Sequence, residues 1–217
     1  MNELFVKYGR TKDVNALVKK YHYSRRPIPT CTVVLSVSWH TGGGGFFGNE
    51  GPAVAGVLFC RPPNSAWKED VVELLRLVRV DNYEGPPLSG LISLGMKRLK
   101  LEKKYDLAIS YADRTHEHHG GVYQGSSWNY TGATSPRVDG FIIGTRFVPN
   151  RTCSHLYGTQ SISKIRERLK HKNTTIEKHY DLGKHLYWKA IRKSGRHKAA
   201  RLGLKKLPYP KPDKINE

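Results

Sequence analysis

The densest run of chemically capable side chains is Ser110-Tyr-Ala-Asp-Arg-Thr-His-Glu-His-His-Gly-Gly-Val-Tyr-Gln-Gly-Ser-Ser-Trp-Asn-Tyr130. Asp113 offers a carboxylate that can orient a nucleophile or accept its proton. Tyr123 offers a phenol that can give up a proton, donate a hydrogen bond or stack. Trp128 and Tyr130 add aromatic faces. His116, His118 and His119 with Glu117 are metal-ligating types, but their spacing matches no standard helical ligand pair. Loop histidines that gain charge at mildly acid pH beside a polyanion are the plainer reading. Arg76 lies inside Glu73-Leu-Leu-Arg-Leu-Val-Arg-Val80. Strand alternation there puts Arg76 and Val78 on one face and Leu75, Leu77 and Arg79 on the other, so a guanidinium among apolar neighbours needs a partner or a ligand. His22-Tyr23-Ser24-Arg25-Arg26 precedes Pro27, and its plain reading is a helix end carrying dipole-favoured cations.

The elements that must position these groups are legible as periods. Lys12 to Tyr21 has apolar residues at Val14, Leu17 and Val18, a helical spacing with Thr11 as its cap. Thr30 to Trp39 and Pro52 to Cys60 read as two antiparallel strands joined by a long loop containing four consecutive glycines. No helix start or P-loop lysine follows those glycines, so the loop is not read as a phosphate cradle. Val71 to Val80 is a further strand. The loop Asp81 to Gly90 then leads into a helix with Ile92, Met96 and Leu99 in phase, and Pro86 and Pro87 suit its start. The free N–H groups of its first turn, around Ser89 and Gly90, form a natural anion site. Tyr105 to Tyr111 is a short buried strand, so Asp113 emerges at a strand's carboxyl end, where open α/β sheets place ligands. A short helix from Gly121 to Trp128 and a strand from Gly140 to Val148 complete an α/β sandwich with a mixed sheet.

The 217 residues carry 37 Lys and Arg against 18 Asp and Glu, a formal charge of +19. Residues 151–217 hold 18 basic and 5 acidic residues, so +13 of the excess lies in the last third. Arg166, Arg168, Lys184, Lys189, Arg192 and Lys193 are interleaved there with Tyr180, Tyr187 and Trp188. That mixture serves phosphate neutralisation and base stacking. The division expected is a catalytic domain over 1–150 and a basic segment over 151–217, packed on the domain, in contact with nucleic acid and frayed at its end. The longest clean apolar run, Ala53 to Cys60, is too short to span a bilayer, and the first residues lack the pattern of a secretion signal. Three cysteines at irregular spacing suit a reducing compartment, so a cytoplasmic protein is expected.

Taken together, His22-Tyr23-Ser24, Glu73-Leu-Leu-Arg-Leu-Val, Ser-Tyr-Ala-Asp113, His119-Gly-Gly-Val-Tyr123-Gln-Gly-Ser-Ser-Trp128-Asn-Tyr-Thr-Gly132, Lys184-His-Leu-Tyr-Trp-Lys and Leu207-Pro-Tyr-Pro-Lys211 resemble the phage Mom DNA-modification proteins. The stretch ending in Trp-Asn-Tyr-Thr-Gly is the most specific of these, and the resemblance covers most of the chain. It implies a GNAT-like (N-acetyltransferase-type) fold, a mixed central sheet flanked by helices with a basic C-terminal extension. It also implies conversion of adenine N6 in double-stranded DNA to N6-carbamoylmethyladenine, protecting phage DNA from restriction nucleases in the cytoplasm of an infected host. Carried over residue by residue, Arg76, Asp113 and Tyr123 become active-site positions, joined by His22 and Tyr23, with His22, Tyr23 and Tyr123 as an iron-ligand set. Ser89 and Gly90 stand at the donor site. The usual pyrophosphate signature, Gln or Arg-x-x-Gly-x-Gly or Ala, is replaced by Asn82-Tyr-Glu-Gly-Pro-Pro. Acetyl-CoA and an aminoacyl-tRNA therefore both stand as donors, the second making tRNA a partner. An adenine reached in duplex DNA is extruded from the stack, with Tyr123, Trp128 and Tyr130 as faces to hold it. The alternatives are a non-catalytic nucleic-acid-binding protein and an N-acetyltransferase acting on protein or a small molecule.

Overall fold

The computed structural model describes residues 4–42, 50–64, 66–67, 69–169 and 173–211. Most of the four-glycine loop and of the expected frayed end lies outside these residues. In chain order the α-helices and strands begin with β1 (Leu4–Tyr8), α1 (Thr11–Tyr21), β2 (Val33–Gly42), β3 (Glu50–Cys60), β4 (Val71–Arg79), α2 (Ser89–Leu101) and β5 (Leu107–Asp113). After the short helix α3 (Gly121–Gly125) come β6 (Asn129–Ala133), β7 (Val138–Ile143), β8 (Arg146–Pro149), α4 (Asn150–Tyr157), α5 (Ile162–Arg168), β9 (Ile176–Tyr180), β10 (Lys184–Ala190) and α6 (Ser194–Arg201). The chain forms two compact units: residues 1–112, 120–132 and 186–217, and residues 113–119 and 133–185. These bounds do not follow the charge step at residue 150, and the basic last third is shared between the two.

The central sheet has the order β1-β2-β3-β4-β5-β10-β6. β1 to β4 are antiparallel neighbours, whereas β4 and β5 run parallel, joined through α2. From Ala53 to Cys60 β3 is apolar without interruption, because both faces of its second half are covered. Val57 and Phe59 pack with Leu91, Ile92, Met96 and Leu99 of α2, and Leu58 and Cys60 with Val14, Leu17 and Val18 of α1. Thr11, expected to cap α1, is instead its first residue and turns its hydroxyl toward Ser36, 3.4 Å away. Gly95 is where α2 meets the sheet most closely, since a Cβ there would stand 2.3 Å from the Phe59 ring.

Where it is described, the basic C-terminal region forms helices and strands. β10 lies inside the sheet between β5 and β6. Its Tyr187 is fully buried with the α2-side core, while Leu186 and Trp188 pack with Val71, Leu107, Ile109 and Ala199 of α6. Burial of each such side chain contributes about 1.5–3 kcal/mol. The Leu207-Pro-Tyr-Pro segment lies along β6: Leu207 N–H donates to Tyr130 O (2.8 Å) and the Tyr209 hydroxyl to Trp128 O (2.7 Å).

The smaller unit carries a three-stranded antiparallel sheet, β8-β7-β9, over a core of Phe141, Val148, Cys153, Ile165 and Ile176. The single strand expected from Gly140 to Val148 is a hairpin, because Gly144 takes the left-handed region (φ 63°) and reverses the chain.

Candidate active site

The site begins with a defect in β4. β3 and β4 are paired at Leu58↔Arg76 and again at Phe59↔Leu74, so one step on β3 spans two on β4 and Leu75 is a bulge. The bulge overturns simple alternation: Leu75 joins Val78 on the α1 side, and Leu77 packs on the α2 side. Bulges bend the strand that carries them and increase its twist. Accordingly β4 and β5 pair only from Val71↔Leu107 to Leu74↔Ser110, although β4 runs on to Arg79 and β5 past Ser110. The two strands part at Ser110, and their facing backbone groups beyond that point form the walls of a gap.

Ser110 closes the bottom of this gap. Fully buried, its Oγ lies 2.7 Å from Leu74 O and 2.8 Å from the Tyr123 hydroxyl. A carbonyl oxygen can only accept, so the serine's one proton goes to Leu74 and the phenol supplies the proton of the second bond. Tyr123 is held by rings on its flanks, Trp128 at 5.5 Å and Tyr187 at 5.2 Å between centroids. Gly120 permits this packing, having φ 79° and no room for a Cβ, which would meet the Tyr187 ring at 2.4 Å. Burial pushes the Tyr123 phenol up to about 12, with Tyr23, Glu73 and Tyr187 adding to the rise and Ser110 opposing it. Tyr123 is therefore a neutral proton donor at physiological pH.

Tyr23 and Glu73 act electrostatically on this phenol, and both also act on Arg76. Arg76 donates Nη1 to Leu75 O (2.8 Å), with Nε 3.4 Å from Arg26 O. Burial lowers its pKa, and Tyr23, Cys60 and Glu73 counteract this. A guanidinium nevertheless stays charged at neutral pH. Glu73 is 5% exposed and opposite Cys60 on β3. Cys60 is pushed up to about 12, by burial first and by Glu73 second, so its thiol is protonated and inert. His22 is buried, with its ring stacked on Tyr23 at 4.3 Å. Thus four of the expected positions, His22, Tyr23, Arg76 and Tyr123, belong to one connected group. Sequence reasoning did not single out Glu73 or Ser110, although both stood inside quoted motifs: a carboxyl and a hydroxyl in otherwise apolar strands were the available signal.

Within the expected iron-ligand set, His22 is already engaged through Nδ1. Ser24 N–H donates to His22 Nδ1 (3.1 Å), which uses the one lone pair of a neutral imidazole and puts its proton on Nε2. Among the described residues no group of three His, Cys, Asp or Glu side chains stands in a metal-holding arrangement.

Ser89 and Gly90 open α2 as expected, but the preceding loop is not a phosphate cradle. The Tyr83 hydroxyl donates to Pro86 O (2.8 Å), and its ring folds over Gly85, where a Cβ would meet it at 2.4 Å. Pro86 and Pro87 provide no N–H, Gly90 N–H is committed to Pro87 O (2.8 Å), and Asp81 and Glu84 add negative charge. The loop is a poor fit for the pyrophosphate of coenzyme A.

The remaining expected residues are placed as follows. Trp128 is fully buried and Tyr130 nearly so, both in the α2-side core. They are packing residues, since their faces are taken by Tyr123 and Tyr187, and this corrects the expectation that they stack on a base. In the smaller unit, Asp113 accepts from Thr115 N–H (3.1 Å) and pairs with Lys184 at 3.2 Å. Lys189 donates to Ser126 O (2.5 Å), and Arg192 is paired with Asp106 through Nε (2.8 Å) and Nη2 (2.6 Å). Arg168 is bonded to Tyr157 O, whereas Arg166 and Lys193 are exposed. Burial lowers the pKa of His118, as does His116, while Asp113 opposes.

Compared with described protein families, the chain matches the Mom protein family over residues 3–211. No curated protein matches it in sequence. Among solved structures, the chain is similar to a GNAT-family protein from Desulfovibrio desulfuricans, at TM-score 0.50 and 7% identity, over 88% of this chain and 100% of that one. A GNAT-family N-acetyltransferase from Escherichia coli, in complex with CoA, matches at TM-score 0.47 and 10% identity over 90% of this chain and 85% of that one. The fold expected from the sequence is thereby found: a mixed central sheet flanked by helices, of the GNAT type.

Proposed function

The chain belongs to the Mom protein family, and on that premise we propose that it is a transferase modifying the N6 amine of adenine in double-stranded DNA. The product proposed is N6-carbamoylmethyladenine, which shields phage DNA from restriction nucleases inside the infected bacterium. The observation that carries the reading is the buried phenol of Tyr123, bonded to Ser110 where β4 and β5 part. The parted strands offer a slot for an extended donor, and Tyr123 stands at its base with a proton to give.

The chemistry suited to this arrangement is displacement at an activated carbonyl. N6 forms the new C–N bond and loses a proton, the donor's leaving atom keeps the electron pair of the broken bond, and Tyr123 protonates it. Adenine's amine is a weak nucleophile, so a carboxylate that takes its proton has a role. Glu73 supplies one beside Tyr123, and the family resemblance nominates Asp113. Arg76 stabilises negative charge developing on the carbonyl oxygen. A transferred glycyl group, –CO–CH2–NH2, has the same atoms as carbamoylmethyl, –CH2–CO–NH2. An aminoacyl ester thus supplies every atom needed; in the isomerisation that follows, the N6–CO and CH2–NH2 bonds break and N6–CH2 and CO–NH2 bonds form, with no oxidant or reductant, and the proline-rich loop before α2 favours this donor over coenzyme A.

The test is chromatography and fragmentation mass spectrometry of nucleosides from cells producing the protein. Fragmentation is required because the glycyl and carbamoylmethyl adducts have equal mass. Modified adenine is expected with the wild type. It should fall at least about a hundredfold with Tyr123→Phe, the usual scale for loss of a general acid, with DNA binding unchanged. Unmodified adenine from a folded, well-expressed protein overturns the proposal.

A further inference from the structure

A second feature lies at the other end of β5. The carboxyl end of α2, the end of β10 and the start of α6 enclose an open cleft of about 760 Å³. Lys100 and Lys103 form one wall, and Arg192, Lys193, Arg196 and His197 the other. No carboxylate is among the lining residues. Asp106, the acidic group beside it, is already held by Arg192 and by the Ser194 hydroxyl (2.5 Å). Lys100, Lys103, Lys193, Arg196 and His197 are exposed.

The arrangement of these charges is informative. Cations at the end of α2 suit that helix, whose carboxyl terminus is negative. Lys193, Arg196 and His197 do not suit α6: they cluster at its amino terminus, where the dipole is positive, and its first turn has no acidic residue. Asp106 answers Arg192 and the Ser194 hydroxyl at this helix start, whereas no carboxylate lines the cleft to answer Lys193, Arg196, Lys100 and Lys103, an arrangement that suits an external anion. The cleft's width and its six basic groups suit several phosphates. From Ser110, which touches Tyr123, to Asp106, which holds Arg192, is four residues of extended strand, about 13 Å. One nucleotide does not reach from the reaction gap to the cleft, whereas a polymer does.

We infer that this cleft docks the phosphodiester backbone of the duplex DNA substrate, apart from the reaction gap. The identity of the polymer rests on the function proposed above, while the existence of the site rests on the cleft itself. Phosphates seated there fix the duplex on the enzyme without touching the base that reacts.

The experiment is fluorescence anisotropy with a labelled 24-base-pair duplex, and in parallel with a labelled tRNA, over a range of salt concentrations. The variant Lys100→Glu/Arg196→Glu should bind the duplex at least about tenfold more weakly at 0.1 M salt. Replacing two phosphate contacts should also flatten the slope of log affinity against log salt by about two. Lys97→Glu/Arg98→Glu, reversed on an exposed part of α2 outside the cleft, should bind like the wild type. Thermal unfolding verifies that each variant is folded, and Lys103→Gln/Lys193→Gln replaces the first pair if it is not. Equal duplex binding by the cleft variant and the wild type overturns the inference, as does an effect confined to tRNA. If nucleosides from expressing cells are unmodified and the cleft variant still loses duplex affinity, the proposed reaction fails and the docking site stands. If adenine is modified and the cleft variant binds duplex as the wild type does, the reaction stands and the docking site fails.

Discussion

Ser110 and Tyr123 show how a buried pair defines a protonation state. One serine proton satisfies Leu74 O and the phenol's own proton satisfies the serine, so removing the serine strands both of its partners. Ser110→Ala leaves two buried polar groups short of a partner, and a loss of about 1–3 kcal/mol in unfolding free energy is expected from denaturant titration. Tyr123→Phe keeps the serine–carbonyl bond and should leave stability near the wild-type value. Its pH dependence is the sharper check. Tyr123 is raised from 10 to about 12 in the folded state. Its contribution to stability is therefore complete below pH 10 and is lost as the pH climbs through 12. Over pH 9.5 to 11.5 the denaturation midpoint of Tyr123→Phe should fall less than that of the wild type. An alkaline limb in activity below pH 9 would come from a group other than Tyr123. Asp113→Asn removes an ion pair whose partner, Lys184, is 39% exposed, so a stability change of at most about 1 kcal/mol is expected. A modification defect of a hundredfold in that variant, read by nucleoside mass spectrometry, would mark Asp113 as a participant in the reaction beyond its pairing with Lys184. Tyr123 and Asp113 were recognisable as reactive types in the sequence. Glu73 was not singled out, because what makes it notable is burial beside Arg76 and Tyr123, which no linear spacing reveals.

At the scale of elements, the bulge at Leu75 opens the site, and the period of the sequence misses it. Glu73-Leu-Leu-Arg-Leu-Val reads as regular alternation, yet one inserted residue moves Leu75 across the sheet and parts β4 from β5. The helices were easier to recognise. Apolar residues of α1 and α2 recur at the helical period because each helix buries one stripe. Their closeness to the sheet is set by single glycines. Gly95→Ala gains helix propensity of about 1 kcal/mol, but its Cβ would stand 2.3 Å from Phe59, a ring fixed on every side in the core. Overpacking of this kind costs about 1–3 kcal/mol, so a net loss of stability is expected as a lowered Tm in thermal unfolding. The strands of the last third escaped the sequence reading, because Lys and Arg between Tyr187, Trp188 and Leu186 mask a period of two.

For the whole molecule, the +19 charge is unevenly available. Asp113 holds Lys184, Asp106 holds Arg192, and Asp70 holds the buried Lys198. Lys198→Ala removes one partner of a pair whose lysine is 6% exposed, and a loss of about 3 kcal/mol is expected. That is the low end for buried pairs, since the Asp70 side chain is one-third exposed. Lys198→Met, keeping the volume, should lose less in the same denaturant titration. Among the described residues no helix is long and apolar enough to cross a membrane. The charge excess, the helical and strand periods of the first half and the family motifs were legible in the residues alone, since each depends only on residue type and local spacing. Folding in three dimensions was needed to place Trp128 and Tyr130 in the core, to tether Lys184, Lys189 and Arg192, and to bring Ser110 against Tyr123 with Glu73 in electrostatic reach. Those outcomes turn on burial and on contacts between residues up to 86 positions apart, where a bulge in one strand and a glycine before a short helix determine what each side chain can touch.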